Sequence, residues 1–222
     1  MEVFVLKREI RKNFALAASL LAAFVLWTAA IRFVNVAPIG PNGSAVGFAA
    51  VNGYFHRLTG VHMGLYVLTD WLSLIPLGFI PGFALLGLVQ WIRRRSLRKV
   101  DFSIFVLGGF YVLVMGAFLF FEIFPVNYRP VLIEGVPEAS YPSSTTLLVM
   151  CVMPTAVLQL RSRIRRPALR KWVCVSITLF SLFMVAGRLV SGVHWLTDII
   201  GGGLLSGGLV VLYRAVCGLE KG

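Results

Sequence analysis

Residues 102–124 read FSIFVLGGFYVLVMGAFLFFEIF, an apolar run of 23 residues with a single charge, Glu122. About 20 apolar residues in a helix cross the ~30 Å hydrocarbon core of a bilayer, so this stretch predicts a membrane span. Five further runs of that kind lie on either side of it, at about 14–36, 63–92, 143–160, 171–187 and 195–216. The first run is longer than the apolar core of a cleaved signal peptide and reads as a retained anchor. Composition agrees. The chain has 222 residues, 58% hydrophobic and 14% charged, with a mean hydropathy of +0.86. Soluble domains carry roughly 25% charged residues. With 17 Phe and 5 Trp it is no disordered tail, and three scattered cysteines, Cys151, Cys174 and Cys217, make no disulfide scaffold.

The meaning of the net charge of +12 depends on where the cations fall. Lys7, Arg8, Arg11 and Lys12 precede the first span; five cations fill 93–99, six fill 161–171, and Arg214 and Lys221 come at the end. Only Arg32, Arg57, Arg129 and Arg188 fall on the other side. Such an excess marks cytoplasmic loops. The expected fold is therefore all-α: one polytopic domain over 1–222, with six transmembrane helices and both termini cytoplasmic. This placement reads the basic runs as orientation signals and speaks against a nucleic-acid partner. Spans three to six are expected to form the core, with the first two outside. Within the outer segment 37–62, residues 46–55 suggest an interfacial helix.

Polar groups collect at the outer ends of the last four spans. They are Glu122, Arg129, Ser143, Ser144, Thr145, Thr146, Arg188, His194 and Asp198. His194 and Asp198 are four apart where a helix begins, a spacing that puts both on one face. A carboxylate there fixes the imidazole tautomer and leaves the second nitrogen free as base or nucleophile. Arginine forks suit phosphate oxygens. The stretch after Pro142 opens a helix whose first N–H groups favour an anion. Each feature has a plainer reading, as an N-cap, an interfacial histidine or a snorkelling arginine; their joint occurrence favours a phosphate pocket. His56 and His62 read as interfacial. Asp70 either orients an arginine or caps a helix.

Arg188 and His194–Asp198 follow the pattern Arg-x5-His-x3-Asp, which resembles the third signature of the type 2 phosphatidic acid phosphatase superfamily. Gly187 stands where that signature has Ser. Arg129-Pro130 resembles the end of the first signature, Lys-x6-Arg-Pro, and Pro142-Ser143-Ser144-Thr145 the second, Pro-Ser-Gly-His. The resemblance covers 122–198 and fits the integral-membrane branch. It implies His194 as a nucleophile forming a phosphohistidine and Asp198 as its orienting partner. Arg129, Arg188, Ser143, Ser144 and Thr145 would hold the phosphate. It implies no metal and no cofactor, and an amphiphilic lipid or polyprenyl phosphate as substrate. Undecaprenyl diphosphate and phosphatidylglycerophosphate-like lipids are candidates, handled at the outer face of a bacterial plasma membrane.

Two departures bear on activity. Glu122 occupies the Lys position and Thr145 that of the second-signature His, the expected general acid. A hydroxyl has no useful acidity near pH 7, and general acid help is worth about 10²–10⁴-fold. One reading is preference for diphosphates, whose leaving phosphate has a second pKa of about 6. A second has Glu122 protonated as a substitute acid, or paired with Arg129 or Arg188. A third is a lipid-phosphate binder or carrier without turnover, or a lipid phosphotransferase.

Overall fold

The computed structural model describes residues 2–221 and is all-helical in its regular structure. The helices are α1 (Glu2–Phe33), α2 (Ala49–Thr59), α3 (Met63–Leu72), α4 (Leu74–Arg94), α5 (Phe102–Ile123), α6 (Ser144–Arg163), α7 (Pro167–Val190) and α8 (Leu196–Gly218). Six stretches among the described residues are long and apolar enough to cross a membrane, with α3 and α4 together making the second. That span breaks at Ser73. Pro76 has no N–H to give the Leu72 carbonyl four residues back, which ends the ladder there.

The packing differs from expectation in its centre. α6 and α8 are the most buried spans, whereas α5 and α7 are largely open to lipid, as α1 and α4 are. The flanking helices each meet this pair on one side. α7 lies along α6, and α1 runs along α8. Leu21 fits where a Cβ on Gly208 would sit 2.8 Å from its Cδ2. The first span is thus a supporting rib of the central helix.

The outer segment folds back onto the end of α1. Ala37 and Val46 pair as an antiparallel bridge, and Phe48 N donates to Val34 O at 2.8 Å. The helix that follows, α2, starts a few residues later than the sequence pattern suggests and ends at Gly60. Buried Asn52 ties it to the start of α8. Its Nδ2 donates to Thr197 Oγ1 at 3.0 Å, and its Oδ1 accepts from Thr197 N at 3.2 Å.

At the basic end Asp101 holds three helices together. It accepts from Arg94 at 2.9 Å, from Gln90 at 2.8 Å and from Arg163 at 3.2 Å. Asp101→Ala is expected to lower stability by about 1 kcal/mol, the modest value for partly exposed pairs, read as a fall in the melting temperature in detergent. An unchanged melting temperature would show the cluster to be ornamental.

Candidate active site

Beyond α5 the chain turns back as a short hairpin. Arg129 N donates to Glu138 O and Ser140 N to Asn127 O, each at 3.0 Å. Ile133 and Val136 close a two-residue turn in which Glu134 and Gly135 have φ of 50° and 81°. Two positive φ angles are what a type I′ hairpin turn requires. The pairing sets Asn127 opposite Ser140 and Arg129 beside Glu138.

Asp198 lies in the first turn of α8 and is fully buried. A carboxylate there is tolerated only if its oxygens are satisfied. Asn127 Nδ2 donates to Oδ1 at 3.3 Å; Trp195 N donates to Oδ2 at 2.8 Å, and the Ser140 hydroxyl donates to that same oxygen. His194 precedes the helix rather than belonging to it. The expected shared helical face is therefore not how the pair meets. The imidazole reaches Asp198 from the preceding loop, with Nδ1 3.6 Å from Oδ2 and 3.3 Å from Ser140 Oγ.

Ser140 decides the tautomer. Its one proton goes to Asp198, so its oxygen can only accept from His194 Nδ1–H. The lone pair then sits on Nε2, which is buried and has no hydrogen-bond partner among the described residues. Burial pushes the His194 pKa down to about 4; Asp198 pulls against this, and Arg129 and Arg188 push further down. The imidazole is neutral over the physiological range.

The loop before His194 is held from outside. Gly192 has φ of +69°, and a Cβ there would strike Gly60 O; next to it, His62 N donates to Ser191 O at 2.9 Å. His62 Nε2 lies 2.8 Å from Thr59 O, and the His56 ring packs 5.5 Å from the Trp195 ring. Both histidines brace the loop that carries His194.

Arg129 and Arg188 are both buried. Arg129 Nε lies 3.1 Å from Glu138 Oε2 in an ionic contact, and its Nη1 is without a hydrogen-bond partner among the described residues. Arg188 Nη1 donates to Tyr66 O and Thr69 Oγ1, and Nη2 to Asp70 Oδ1, all at 3.4 Å. Its Nε is likewise unpartnered among the described residues. The counter-ions are thus Glu138 and Asp70. This corrects the expected pairing of Glu122 with either arginine. Glu122 is exposed and lines a narrow crevice with Ser140, Pro142 and Ser144; the hairpin supplies Glu138 and α3 supplies Asp70 in its stead.

Ser143 caps α6, its Oγ accepting from Thr146 N at 3.4 Å. Its own amide is taken by Asp198 O at 3.2 Å, contrary to the expectation of a free phosphate donor there. Ser144 and Thr145 follow at the helix start, where the first N–H groups lack intrahelical acceptors. They line, with Asp70, a cavity of about 310 Å3 that descends between α4, α5 and α6 to Val152. A neutral nucleophilic nitrogen, two buried cations and a helix N-terminus suit attack on a phosphoryl group.

Residues 111–218 match the PAP2 superfamily. The fold is similar to that of a transmembrane PAP2-type phosphatidylglycerolphosphate phosphatase from Bacillus subtilis. The TM-score is 0.57 at 20% identity, covering 92% of this chain and 96% of that one. No curated protein matches the chain.

Proposed function

We propose that this chain, which belongs to the PAP2 superfamily through residues 111–218, is a membrane lipid phosphatase that works through a phosphohistidine on His194. One observation carries the reading: His194 Nε2 is buried and unpartnered among the described residues, while Nδ1 is tied to Ser140 and Asp198. In the first step Nε2 attacks phosphorus, the P–N bond forms and the P–O bond to the leaving group breaks. Arg129, Arg188 and the amides at the start of α6 would take up charge on the equatorial oxygens. Water then attacks phosphorus from the opposite side, releasing phosphate and the neutral imidazole. Asp198 stabilises the cationic ring of the intermediate. The lysine and arginine distribution supports a site at the non-cytoplasmic face.

With Thr145 in place of a histidine, a leaving group that departs with little protonation is favoured. We take a lipid or polyprenyl diphosphate as the preferred substrate and a lipid monophosphate as the slower one. Purified protein supplied with a panel of both classes tests this through released phosphate. Binding of such lipids with no release from any of them would make the chain a carrier. Equal rates on both classes would remove the leaving-group preference. Thr145→His should raise monophosphate turnover by about 10²-fold, the lower end of the range for general acid help. An unchanged rate would show that protonation of the leaving group is not limiting.

The pH dependence has a definite sign. His194 attacks only when neutral and becomes charged below its pKa of about 4. Its contribution to kcat/KM is therefore full throughout the ordinary histidine range and falls only as the pH drops through about 4. An acid limb near pH 6.5 that persists after correction for substrate ionisation would contradict this.

A further inference from the structure

We infer that the second span completes the phosphate site: Tyr66, Thr69 and Asp70 on α3 are positioning residues that set Arg188 and Arg129 for an anion. The inference rests on the phosphatase reading for its kinetics but not for its binding test. All three lie outside residues 111–218, the stretch matched to the superfamily.

Two guanidinium groups buried close together repel each other until an anion arrives, and each needs something to hold it. Tyr66 serves both. The Arg188 Cζ lies 4.7 Å from the centre of its ring and the Arg129 Cζ 5.5 Å, both within the ~6 Å reach of a cation–π contact. Its backbone carbonyl also accepts from Arg188, as do the Thr69 hydroxyl and the Asp70 carboxylate. Thr69 is fully buried, and its hydroxyl donates back along α3 to Leu65 O and Tyr66 O, leaving its oxygen free to accept. All three contacts to Arg188 are 3.4 Å, longer than the 2.7–2.9 Å of a tight charge-assisted bond. The guanidinium is thus aimed by α3 without being consumed by it.

α3 comes this close for a reason visible in the sequence. A Cβ at Gly187 would lie 2.8 Å from Thr69 Cγ2 and force the two helices apart. Glycine next to Arg188, where the superfamily signature has serine, is therefore the counterpart of Thr69 on α3. The departure at 187 and the clamp on Arg188 are one feature.

The test uses the full chain in detergent, with inorganic phosphate affinity measured by calorimetry and KM and kcat measured on a lipid phosphate. Tyr66→Leu should weaken phosphate binding and raise KM by about tenfold, the scale of a desolvated cation–π contact, with a smaller change in kcat. Tyr66→Phe, which keeps the ring, should recover both to within about twofold. Gly187→Ala should weaken phosphate binding without touching a charged group, and adding Thr69→Ser, which removes the obstructing methyl, should restore it. Unchanged phosphate affinity in Tyr66→Leu and Gly187→Ala would overturn the inference, as would Tyr66→Phe being as impaired as Tyr66→Leu. Loss of melting cooperativity in Tyr66→Leu would transfer the decision to the Gly187 and Thr69 pair. Phosphate binding that responds as described in a chain that turns over no lipid would leave the clamp standing and remove the phosphatase.

Discussion

His194→Ala abolishes phosphate release, with turnover falling by at least about 10⁴-fold, the scale on which removal of a nucleophile acts. The size of the loss follows from what the imidazole supplies. Its Nε2 is the nitrogen left open by the arrangement of Ser140 and Asp198. The protein should still fold, because Asp198 keeps its bonds from Ser140, Asn127 and the Trp195 amide. A folded His194→Ala protein should also still bind phosphate through Arg129 and Arg188. Release persisting at more than a hundredth of the wild-type rate would leave the phosphohistidine route untenable.

Asp198→Asn damages both chemistry and fold. Each carboxylate oxygen receives a donor: Oδ1 the Asn127 amide, Oδ2 the Trp195 N–H and the Ser140 hydroxyl. An asparagine must turn its NH2 towards one set or the other, so either orientation sets donor against donor in a fully buried place. The expected loss of stability is about 2 kcal/mol, the cost of a buried unsatisfied polar group. If the amide displaces the Ser140 proton, Ser140 donates to Nδ1 instead, and the imidazole proton moves to Nε2. The nucleophilic lone pair is then pointed the wrong way. An Asp→Asn exchange that upsets the tautomer costs about 10⁴ in kcat in the serine protease triad, and a loss of about 10³-fold or more is expected here. Full activity with a normal melting temperature would show that the carboxylate does not orient the ring.

The residues proposed to carry the chemistry are legible because they lie close together in the chain or repeat a recognisable spacing. His194 and Asp198 are four apart and Arg188 six before, and six apolar runs mark out the spans. What the sequence concealed are partners that meet only through tertiary structure. Ser140 and Asn127 sit across a hairpin whose Glu134-Gly135 turn was the one local signal for it. Asp70 stands 118 positions from the arginine it faces. Glu122, seven positions before Arg129, looked like its natural counter-ion, but the chain leaves the helix between them and turns back, so Glu138 takes that place. Burial is hidden in the sequence for a related reason. Hydropathy reads lipid-facing and core-facing helices alike, and so α5 and α7 looked as central as α6 and α8.

The central claim is a covalent phosphate on His194. Protein mixed with a lipid diphosphate, quenched in alkali during turnover and digested for mass spectrometry, tests it directly. A phosphate on the His194 peptide that is stable in base, is released by acid and is missing in His194→Ala is the expected result. Steady turnover with no phosphorylated peptide, or with the phosphate on another residue, would contradict it.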